Sequence, residues 1–527
     1  MGGRVLVTDP LAADGLAILQ RDLDVDVRTG LKGQDLLDAV KDYDALIVRS
    51  ETRVTAEVIA AGAKLQIIGR AGVGVDNINV DAATQRGIIV VNAPTGNTIS
   101  AAELTFGLIL AMARNIPQAH ASMKAGQWRR SEFVGVELRG KTLGIVGLGR
   151  VGSELARRAR AFEMHIVAYD PFVSEERARD LHVDMLSLEA VLQRSDFLSL
   201  HTPLTDATKS LITAKELALC KPGVRIVNAA RGGIVDEQAL VDAVESGHVA
   251  AAAIDVFPVE PVKETVLTQS ERIIVTPHLG ASTAEAQVNV AVDVAQEVVN
   301  VLSGIPARYA VNLPLVSPEA MSTVAPFLSV AAICGNIATQ LAEGQLEGLH
   351  IKYEGDLADV DTAPLKAAVL GGVLRTISDE RVSLVNASLI AESRGIRITE
   401  EKGPAAETYS NLVTVTAQAT GGHVVVSGMN HHETPHIVRI NDYWVDLEMA
   451  AVPYLLLLEN DDSPGKIGAI GTILGNADIN IAFMQVGRDR PRGSALMVLG
   501  LDNAIDEPVR QQVASVPGVK NVRSVRA

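Results

Sequence analysis

Over its first three hundred residues the chain alternates short β-branched runs with longer stretches of helical period. The runs are RVLVTD, DALIVRS, LQIIGRAG, GIIVVNAP, TLGIVGLG, HIVAYDP, FLSLHTP, RIVNAAR, AAAIDVF and RIIVTPH. Each is apolar nearly throughout, the pattern of a strand covered on both faces. Such strands separated by helices predict parallel sheets of the doubly wound α/β kind. The runs are too many for one small sheet, so two α/β domains are expected.

Two long helical patterns sit at the seams, SAAELTFGLILAMARNI (100–116) and STAEAQVNVAVDVAQEVVNVLSG (282–304). The second is expected to pack back on the first domain and make it discontinuous. That gives 1–98 with 288–311 for one domain and 99–287 for the other, with a cleft between them as the place for a ligand. Beyond Pro314 the pattern changes. Residues 312–450 mix Ala-rich helices with polar strands such as LVTVTAQAT and HVVVSGM, which reads as an α+β block. The last block, 453–527, opens with a strand, a turn at Pro464-Gly465, a helix and another strand. It has the βαββαβ order of a small ferredoxin-like module.

Composition narrows the classes. With 527 residues, 47 % apolar and 21 % charged, the chain is an ordinary globular one of several domains. A formal charge of −16 without a basic block repels phosphate backbones and anionic membranes, so no nucleic-acid or membrane partner is expected. Any anionic substrate then needs a local cationic pocket. Cys220 and Cys334 are far apart in apolar contexts, which excludes a disulfide framework and fits a reducing cytoplasm. MGGRVLVTDPLAADGL reads as a strand entering a loop and helix, so no signal peptide is expected, and with no uninterrupted apolar stretch of roughly 18 residues no membrane span is expected.

Gly147-Leu148-Gly149-Arg150-Val151-Gly152 follows the strand TLGIV and opens the helical stretch VGSELARRARAF. In a chain with 44 glycines a bare G-x-G-x-x-G is weak, but this one has a strand before, a helix after and a second strand ending at Asp170. The glycines allow a tight turn and close approach of backbone to a pyrophosphate at the helix N-terminus. Asp170 stands about 20 residues on, where a carboxylate accepts both adenosine ribose hydroxyls and repels a 2′-phosphate. Pro171 and Phe172 follow it instead of arginines, so the cofactor expected is NAD rather than NADP. Gly72-Val73-Gly74 is a second glycine turn without the third glycine or the acid; it is a tight turn that can also line the cleft.

Three strand ends follow: NAARGG (228–233), IDVFPVEP (254–261) and VTPHLGAST (275–283). In an open parallel sheet such ends form the rim of the ligand crevice, and these present Arg231, Asp255, Glu260 and His278. Taking a hydride from an alcohol needs a base for the hydroxyl proton, and histidine suits neutral pH. The imidazole needs a carboxylate to orient it, and a substrate carboxylate needs an arginine fork. Taken singly, the same residues read as a loop glutamate, a capping arginine and a core histidine. Together, downstream of a nucleotide fold, they read as a site.

GLGRVG with Asp170, NAARGGIVDE, DVFPVEP and TPHLGAST resemble the D-2-hydroxyacid dehydrogenase family, and DALIVRSET, RAGVGVDN and NAPTGNTISAAE agree. With its two C-terminal blocks the chain looks like the long branch that acts on 3-phosphoglycerate at the start of serine synthesis. The resemblance covers essentially the whole chain and is thinnest over 315–450. It implies a flavodoxin-like substrate lobe, a Rossmann nucleotide lobe, an intervening regulatory domain and an ACT amino-acid-sensing domain. It implies His278 as acid/base, Glu260 as its partner, and Arg231 as clamp on the carboxylate and polariser of the C2 oxygen. For the cofactor it implies Gly147, Gly149, Arg150, Val151, Gly152, Asp170, Pro203, Ala229 and Gly280, with Asp255 at the nicotinamide end. Facing the substrate it implies Arg49 near the phosphate, with Ser50, Gly74 and Asn97. Trp128 and Arg130 in QWRRSEF look like the segment through which this family reaches toward a neighbouring subunit, where Arg130 would add charge to the phosphate pocket. In the last module Asn460, Asp462 and Asn480 would hold L-serine as feedback inhibitor. The family context is a cytoplasmic homo-oligomer, a tetramer by resemblance. A shorter glyoxylate or hydroxypyruvate reductase would lack the C-terminal blocks, and a corepressor using NAD as a signal would lack the amino-acid-sensing tail.

One motif points elsewhere. His432-Glu433-Thr434-Pro435-His436 spells H-E-x-x-H, which binds zinc when its histidines lie one helical turn apart on one face. Pro435 has no N–H and pushes Thr434 toward extended backbone, and the flanks HVVVSGM and IVRINDYWVDL read as strands. A loop or hairpin connection is expected and no metal, leaving His431, His432, His436 and Arg439 as possible partners of an anion.

Overall fold

A computed structural model describes residues 3–313, 318–378, 382–406, 408–449 and 452–526. The change of pattern at Pro314 and the break at 450 lie outside the described residues. The first sheet holds β1 (Arg4–Val7), β2 (Asp24–Val27), β3 (Ala45–Val48), β4 (Ile67–Arg70) and β5 (Ile89–Val91). Their order is β2-β1-β3-β4-β5, all parallel, a doubly wound arrangement. β2, sequence DVDV, is missing from the apolar runs because an edge strand needs cover on fewer sides.

The second sheet holds β6 (Thr142–Val146), β7 (His165–Tyr169), β8 (Asp184–Met185), β9 (Phe197–Leu200), β10 (Val224–Asn228), β11 (Val249–Ile254) and β12 (Ile273–Val275). Their order is β12-β11-β10-β9-β6-β7-β8, again all parallel. The order reverses between β6 and β9, and such a switch point opens a crevice at the strand C-termini. The edge strand β8 has two residues, too few for a hydrophobic signature.

The helix Ala284–Leu302 leaves the second sheet and lies on the first, with Val290, Val294 and Val298 packed among Val5, Val7, Ile47 and Ile67. It touches the helix Ala13–Asp22 at Gly15, where a side-chain carbon would come within 2.8 Å of the Ala291 backbone. Glu297, wholly buried, accepts the Arg308 N–H (2.7 Å) and Nε–H (3.1 Å) and the Tyr309 N–H (3.4 Å). Asn312 accepts the Val90 N–H and donates to the Ile88 carbonyl, both at 2.9 Å. At the other seam the helix Thr98–Arg114 stops short of residue 116, because Asn115 turns left-handed (φ 51°). A second helix, Ile116–Lys124, follows at a bend of 65°.

The third sheet holds β13 (Leu346–Glu354), β14 (Arg397–Gly403), β15 (Leu412–Ala419), β16 (Gly422–His431), β17 (Thr434–Ile440) and β18 (Tyr443–Glu448). Its order is β14-β13-β15-β16-β17-β18, with only the β13–β14 pair parallel. The stretch Glu319–Leu341 is long and apolar enough to cross a membrane by length and composition. Its Val330, Ala331, Cys334, Ile337 and Ala338 are instead buried in the core under this sheet. Between β16 and β17 the turn is His432-Glu433, both with positive φ (48° and 65°), as a two-residue hairpin loop requires. Pro435 and His436 therefore lie in a strand, and the His436 Nδ1 meets Asp446 Oδ1 at 2.8 Å.

The fourth sheet holds β19 (Tyr454–Asp461), β20 (Ile481–Arg488), β21 (Ser494–Leu501) and β22 (Val519–Arg526), ordered β20-β21-β19-β22 and antiparallel throughout. With helices Lys466–Asn476 and Glu507–Ala514 this is the βαββαβ ferredoxin-like order. Leu456, Leu458, Met497 and Leu499 face its own helices. Leu455, Leu457, Leu496 and Val498 join the core of the third sheet instead.

Glu297→Ala would remove the wholly buried acceptor of the Arg308 and Tyr309 N–H groups. At about 0.5–1.5 kcal/mol net for each hydrogen bond lost, a loss of about 1–3 kcal/mol is expected, read as a lower first thermal transition. Lys41→Ala, which removes the exposed pair with Asp38, should leave that transition in place. Equal shifts for the two variants would contradict this account.

Candidate active site

β6 ends at Val146, and the chain turns through Gly147 (φ 96°) into the helix Arg150–Ala161. A side-chain carbon on Gly147 would sit 2.8 Å from the His201 carbonyl, and one on Gly152 would collide with the Gly147 carbonyl. At Gly149 nothing lies within 4 Å. The first and third glycines thus serve the fold, and the second leaves room in front of the helix. No side chain caps that helix. The N–H groups of its first turn, Arg150, Val151 and Gly152, have no intrahelical acceptor and form a positive pole.

Asp170 follows β7 and stands beside this turn: one carboxylate oxygen accepts the Leu148 N–H and the other the Phe172 N–H, each at 2.9 Å. Pro203 and Ala229 follow β9 and β10 on the same rim. Arg150 Nη1 donates across the seam to the Pro94 carbonyl at 3.4 Å. The free amides, the open space at Gly149 and the fixed carboxylate together fit the pyrophosphate and ribose of a dinucleotide.

Beyond β12 the chain passes Thr276-Pro277 to His278, whose φ of 53° is left-handed. A non-glycine residue there costs about 1 kcal/mol or more and needs surroundings that hold it. Asp255, wholly buried after β11, supplies them. Its Oδ1 accepts the Thr276 hydroxyl (2.5 Å) and the Leu279 N–H (2.8 Å), its Oδ2 accepts the Gly280 N–H (3.0 Å), and its carbonyl accepts the His278 N–H (2.9 Å). Burial pushes the Asp255 carboxyl up, against the pull of those hydrogen bonds and of His278.

The His278 Nδ1 lies 2.7 Å from Glu260 Oε2, and Glu260 Oε1 accepts the Phe257 N–H at 2.9 Å. Burial works to raise the Glu260 carboxyl. The hydrogen bond to His278, the Phe257 N–H and the charges of His278 and Arg231 outweigh it and hold the group below its usual range. With Nδ1 turned to the carboxylate, Nε2 is the ring's free nitrogen, on an imidazole that is 44 % exposed.

Arg231 sits in a turn shaped by Asn228, whose amide donates to the Arg231 carbonyl (2.9 Å) and accepts the Ala230 N–H (3.1 Å). Its guanidinium lies over Gly74, where any side chain would collide with it. Arg231 Nη1 donates to the Ala230 carbonyl (2.7 Å), and Nε faces Asp76 Oδ2 at 3.3 Å. Arg49 and Ser50 follow β3 in a loop held from two sides. Asp9 Oδ2 accepts the Arg49 N–H (2.6 Å) and the Glu51 and Thr52 N–H groups (3.2 Å), and Asn77 donates to the Arg49 (2.7 Å) and Thr52 (2.6 Å) carbonyls.

Arg70, the last residue of β4, is half-buried, and its buried Nε has no hydrogen-bond partner among the described residues. Burial, then the Arg231 charge and that of Arg49, pull its pKa down to about 10, with Asp76 and Asp9 acting the other way. It remains a cation at neutral pH. Arg70, Asp9, Asp76 and Asn77 were not singled out from the sequence. The available signal was their place at strand ends, in VTDP, IIGRAG and GVDN.

Other expected residues stand elsewhere. Asn97 begins the seam helix Thr98–Arg114. Trp128 is 78 % exposed, and Arg130 opens a short turn, Arg130–Glu132, with no hydrogen bond or ion pair to the cleft among the described residues. Asn460, Asp462 and Asn480 are not brought together. Asn460 and Arg488 oppose Ala495 at one end of the fourth sheet, and Ile481 opposes Leu501 at the other. At about 3.3 Å per residue that puts Asn480 about 20 Å from Asn460. Asn480 donates to Asp502 at 2.7 Å. The Arg492 N–H (2.8 Å) and then the Arg488 guanidinium pull the Asp462 carboxyl below its usual range. The Asn460 amide oxygen is buried without a partner.

Residues 106–280 match the family model for the NAD binding domain of D-isomer specific 2-hydroxyacid dehydrogenases, and residues 323–441 match the D-3-phosphoglycerate dehydrogenase intervening domain. A D-3-phosphoglycerate dehydrogenase of Synechocystis is 45 % identical over 99 % of this chain and 94 % of its own length. One from Bacillus subtilis is 42 % identical, covering 99 % of both chains. Among solved structures, the TT0316 protein of Thermus thermophilus superimposes with a TM-score of 0.55 at 36 % identity, over 58 % of this chain and 99 % of that one. With one family model on its second sheet, another on its third, and relatives of a single description along nearly its whole length, the chain belongs to the D-3-phosphoglycerate dehydrogenase family.

Proposed function

We propose that the cleft oxidises 3-phosphoglycerate to 3-phosphohydroxypyruvate with NAD, the first step of the phosphorylated route to serine. One observation carries this reading: the His278–Glu260 pair, 2.7 Å apart, belongs to a cleft with three guanidinium groups, Arg49, Arg70 and Arg231. A substrate with a carboxylate at one end and a phosphate at the other needs cations at two places and a base between them. Membership of the family supports the same substrate.

Bound NAD supplies the acceptor for the hydride of C2. In this reading the first-turn amides of Arg150, Val151 and Gly152 take its pyrophosphate, Asp170 its ribose hydroxyls, and Pro203, Ala229, Asp255 and Gly280 border the rest. Arg231 forks onto the substrate carboxylate and polarises the C2 oxygen. Arg49, Ser50 and Arg70 take the phosphate, with Gly74 and Asn97 at the margin and Arg130 of a partner subunit adding charge. His278 Nε2 accepts the hydroxyl proton, and the anionic Glu260 stabilises the imidazolium that results. In the reverse direction the same nitrogen returns the proton.

The fourth module is read as an ACT domain that binds L-serine between two copies. The separation of about 20 Å between Asn460 and Asn480 supports this, because two modules side by side and antiparallel bring opposite ends of the sheet together. Serine would then be held by Asn460 and Asp462 of one copy and Asn480 of the other, in a cytoplasmic homo-oligomer, a tetramer by resemblance.

Nicotinamide absorbance follows turnover. 3-Phosphoglycerate should be oxidised in preference to lactate, glycerate and 2-hydroxyglutarate, and no turnover of any 2-hydroxy or 2-oxo acid would sink the reading. His278→Ala should lower kcat by about 10²–10⁴-fold with NAD binding retained. Unchanged kcat would remove the histidine from the mechanism. For the regulatory part, L-serine should slow the enzyme and Asn480→Ala should relieve that inhibition. Turnover indifferent to serine would leave the module a pairing element alone.

A further inference from the structure

Arg231 has a partner that the chemistry above does not use. Asp76, in the first-lobe loop after β4, sets its carboxylate 3.3 Å from Arg231 Nε, so the ion pair joins the two lobes. Both groups close over Gly74, where a side-chain carbon would meet the Arg231 guanidinium and lie 2.6 Å from Asp76 Oδ2. Asp76 has no other hydrogen bond or ion pair among the described residues, and its side chain is 69 % exposed. Its charge also acts on Arg70, opposing the crowding by Arg231 and Arg49. The carboxylate thus serves neither a helix cap nor a loop anchor. It faces the cation cluster alone.

We propose that Asp76 is a tethered counter-ion that reserves the arginine cluster for a substrate carrying two separate anionic groups. The proposal rests on the substrate reading given above. A carboxylate fixed to the chain stands beside the guanidinium at an effective concentration that a dissolved anion does not match. A small anion arriving at Arg231 gains one point of attachment and must first displace it. A substrate that also engages Arg49 is held at two points, so its second contact favours the exchange. Once displaced, the exposed Asp76 carboxylate is hydrated, which keeps the exchange inexpensive for the right ligand. Discrimination therefore comes from an element that opposes the wrong ligand as well as from contacts to the right one. Without Asp76 the buried, unpaired Nε of Arg70 and the freed Arg231 would attract any small anion.

Sulfate is the probe, titrated by calorimetry into the full-length protein without substrate at constant ionic strength. Asp76→Asn should bind sulfate about tenfold more tightly than the unsubstituted protein, and its preference in kcat/KM for 3-phosphoglycerate over lactate should fall about tenfold. Asp76→Glu, which restores a carboxylate, should recover both values toward the original. Equal sulfate affinity in the Asp76→Asn and unsubstituted proteins overturns the proposal, whatever turnover does. Tighter sulfate binding by Asp76→Asn, in a protein whose unsubstituted form oxidises no 2-hydroxy acid, would support the counter-ion and remove the substrate reading instead.

Discussion

The cleft depends on one packing contact, the return of the helix Ala284–Leu302 to the first sheet after the chain has completed the second. Val290, Val294 and Val298 enter the same core as Val5, Val7, Ile47 and Ile67. Each such aliphatic side chain contributes about 1.5–3 kcal/mol on burial, so the return is firm. The two seam helices are pinned where they start, with the Ser100 and Thr283 hydroxyls 2.7 Å apart. Contacts between loops at strand ends, Arg150 to Pro94 and Arg231 to Asp76, then cross the gap. The carboxyl ends of both parallel sheets open on one space because the chain passes the seam twice.

That space is furnished by one device used three times. Asp9 after β1, Asp170 after β7 and Asp255 after β11 each aim a carboxylate at N–H groups of a neighbouring loop. Hydrogen bonds to a charged acceptor contribute about 1.5–3 kcal/mol each, enough to fix loops that no sheet or helix holds. The loops so fixed carry Arg49, the glycine turn and His278. The left-handed backbone of His278 depends on such an anchor, since the residue has no glycine's freedom there. Part of the formal charge of −16 is engaged inside the lobes in this way, and the guanidinium groups of the cleft are the local exception to an acidic molecule.

Much of this was legible in the chain. Fully covered parallel strands show as continuous apolar runs, which is why ten of the twelve strands of the first two sheets could be read. The two missed, β2 and β8, are edge strands, one charged on alternate residues and one two residues long. The glycine turn, His278, Glu260 and Arg231 were legible because their chemistry and their places at strand ends agree. Arg70, Asp9 and Asp76 were not, since their roles come from which strands are neighbours. Arg70 meets Arg231 only because two sheets face each other, and a linear pattern carries no such information. HETPH shows the reverse limit: five letters that suggest a metal centre form a hairpin, with His432 and Glu433 as its turn.

The C-terminal half adds a mechanical constraint. The helix-free face of the fourth sheet is closed by the core of the third, through Leu455, Leu457, Leu496 and Val498. The last strand is also tied down, with the Arg526 carbonyl accepting the amides of Asn336 and Gln340 at 2.8 Å. Two modules that share a core and a hydrogen-bonded edge resist separate motion, because packed interiors have few intermediate arrangements. The fourth module is therefore held to the third as one body. The third in turn touches the first lobe, where the Asn386 amide donates to the Gln85 carbonyl at 3.3 Å, on the helix that precedes β5. The third module thus meets, at that helix, the same lobe that carries Arg49, Arg70 and Asp76, so the C-terminal half is packed as one block against the substrate side of the cleft.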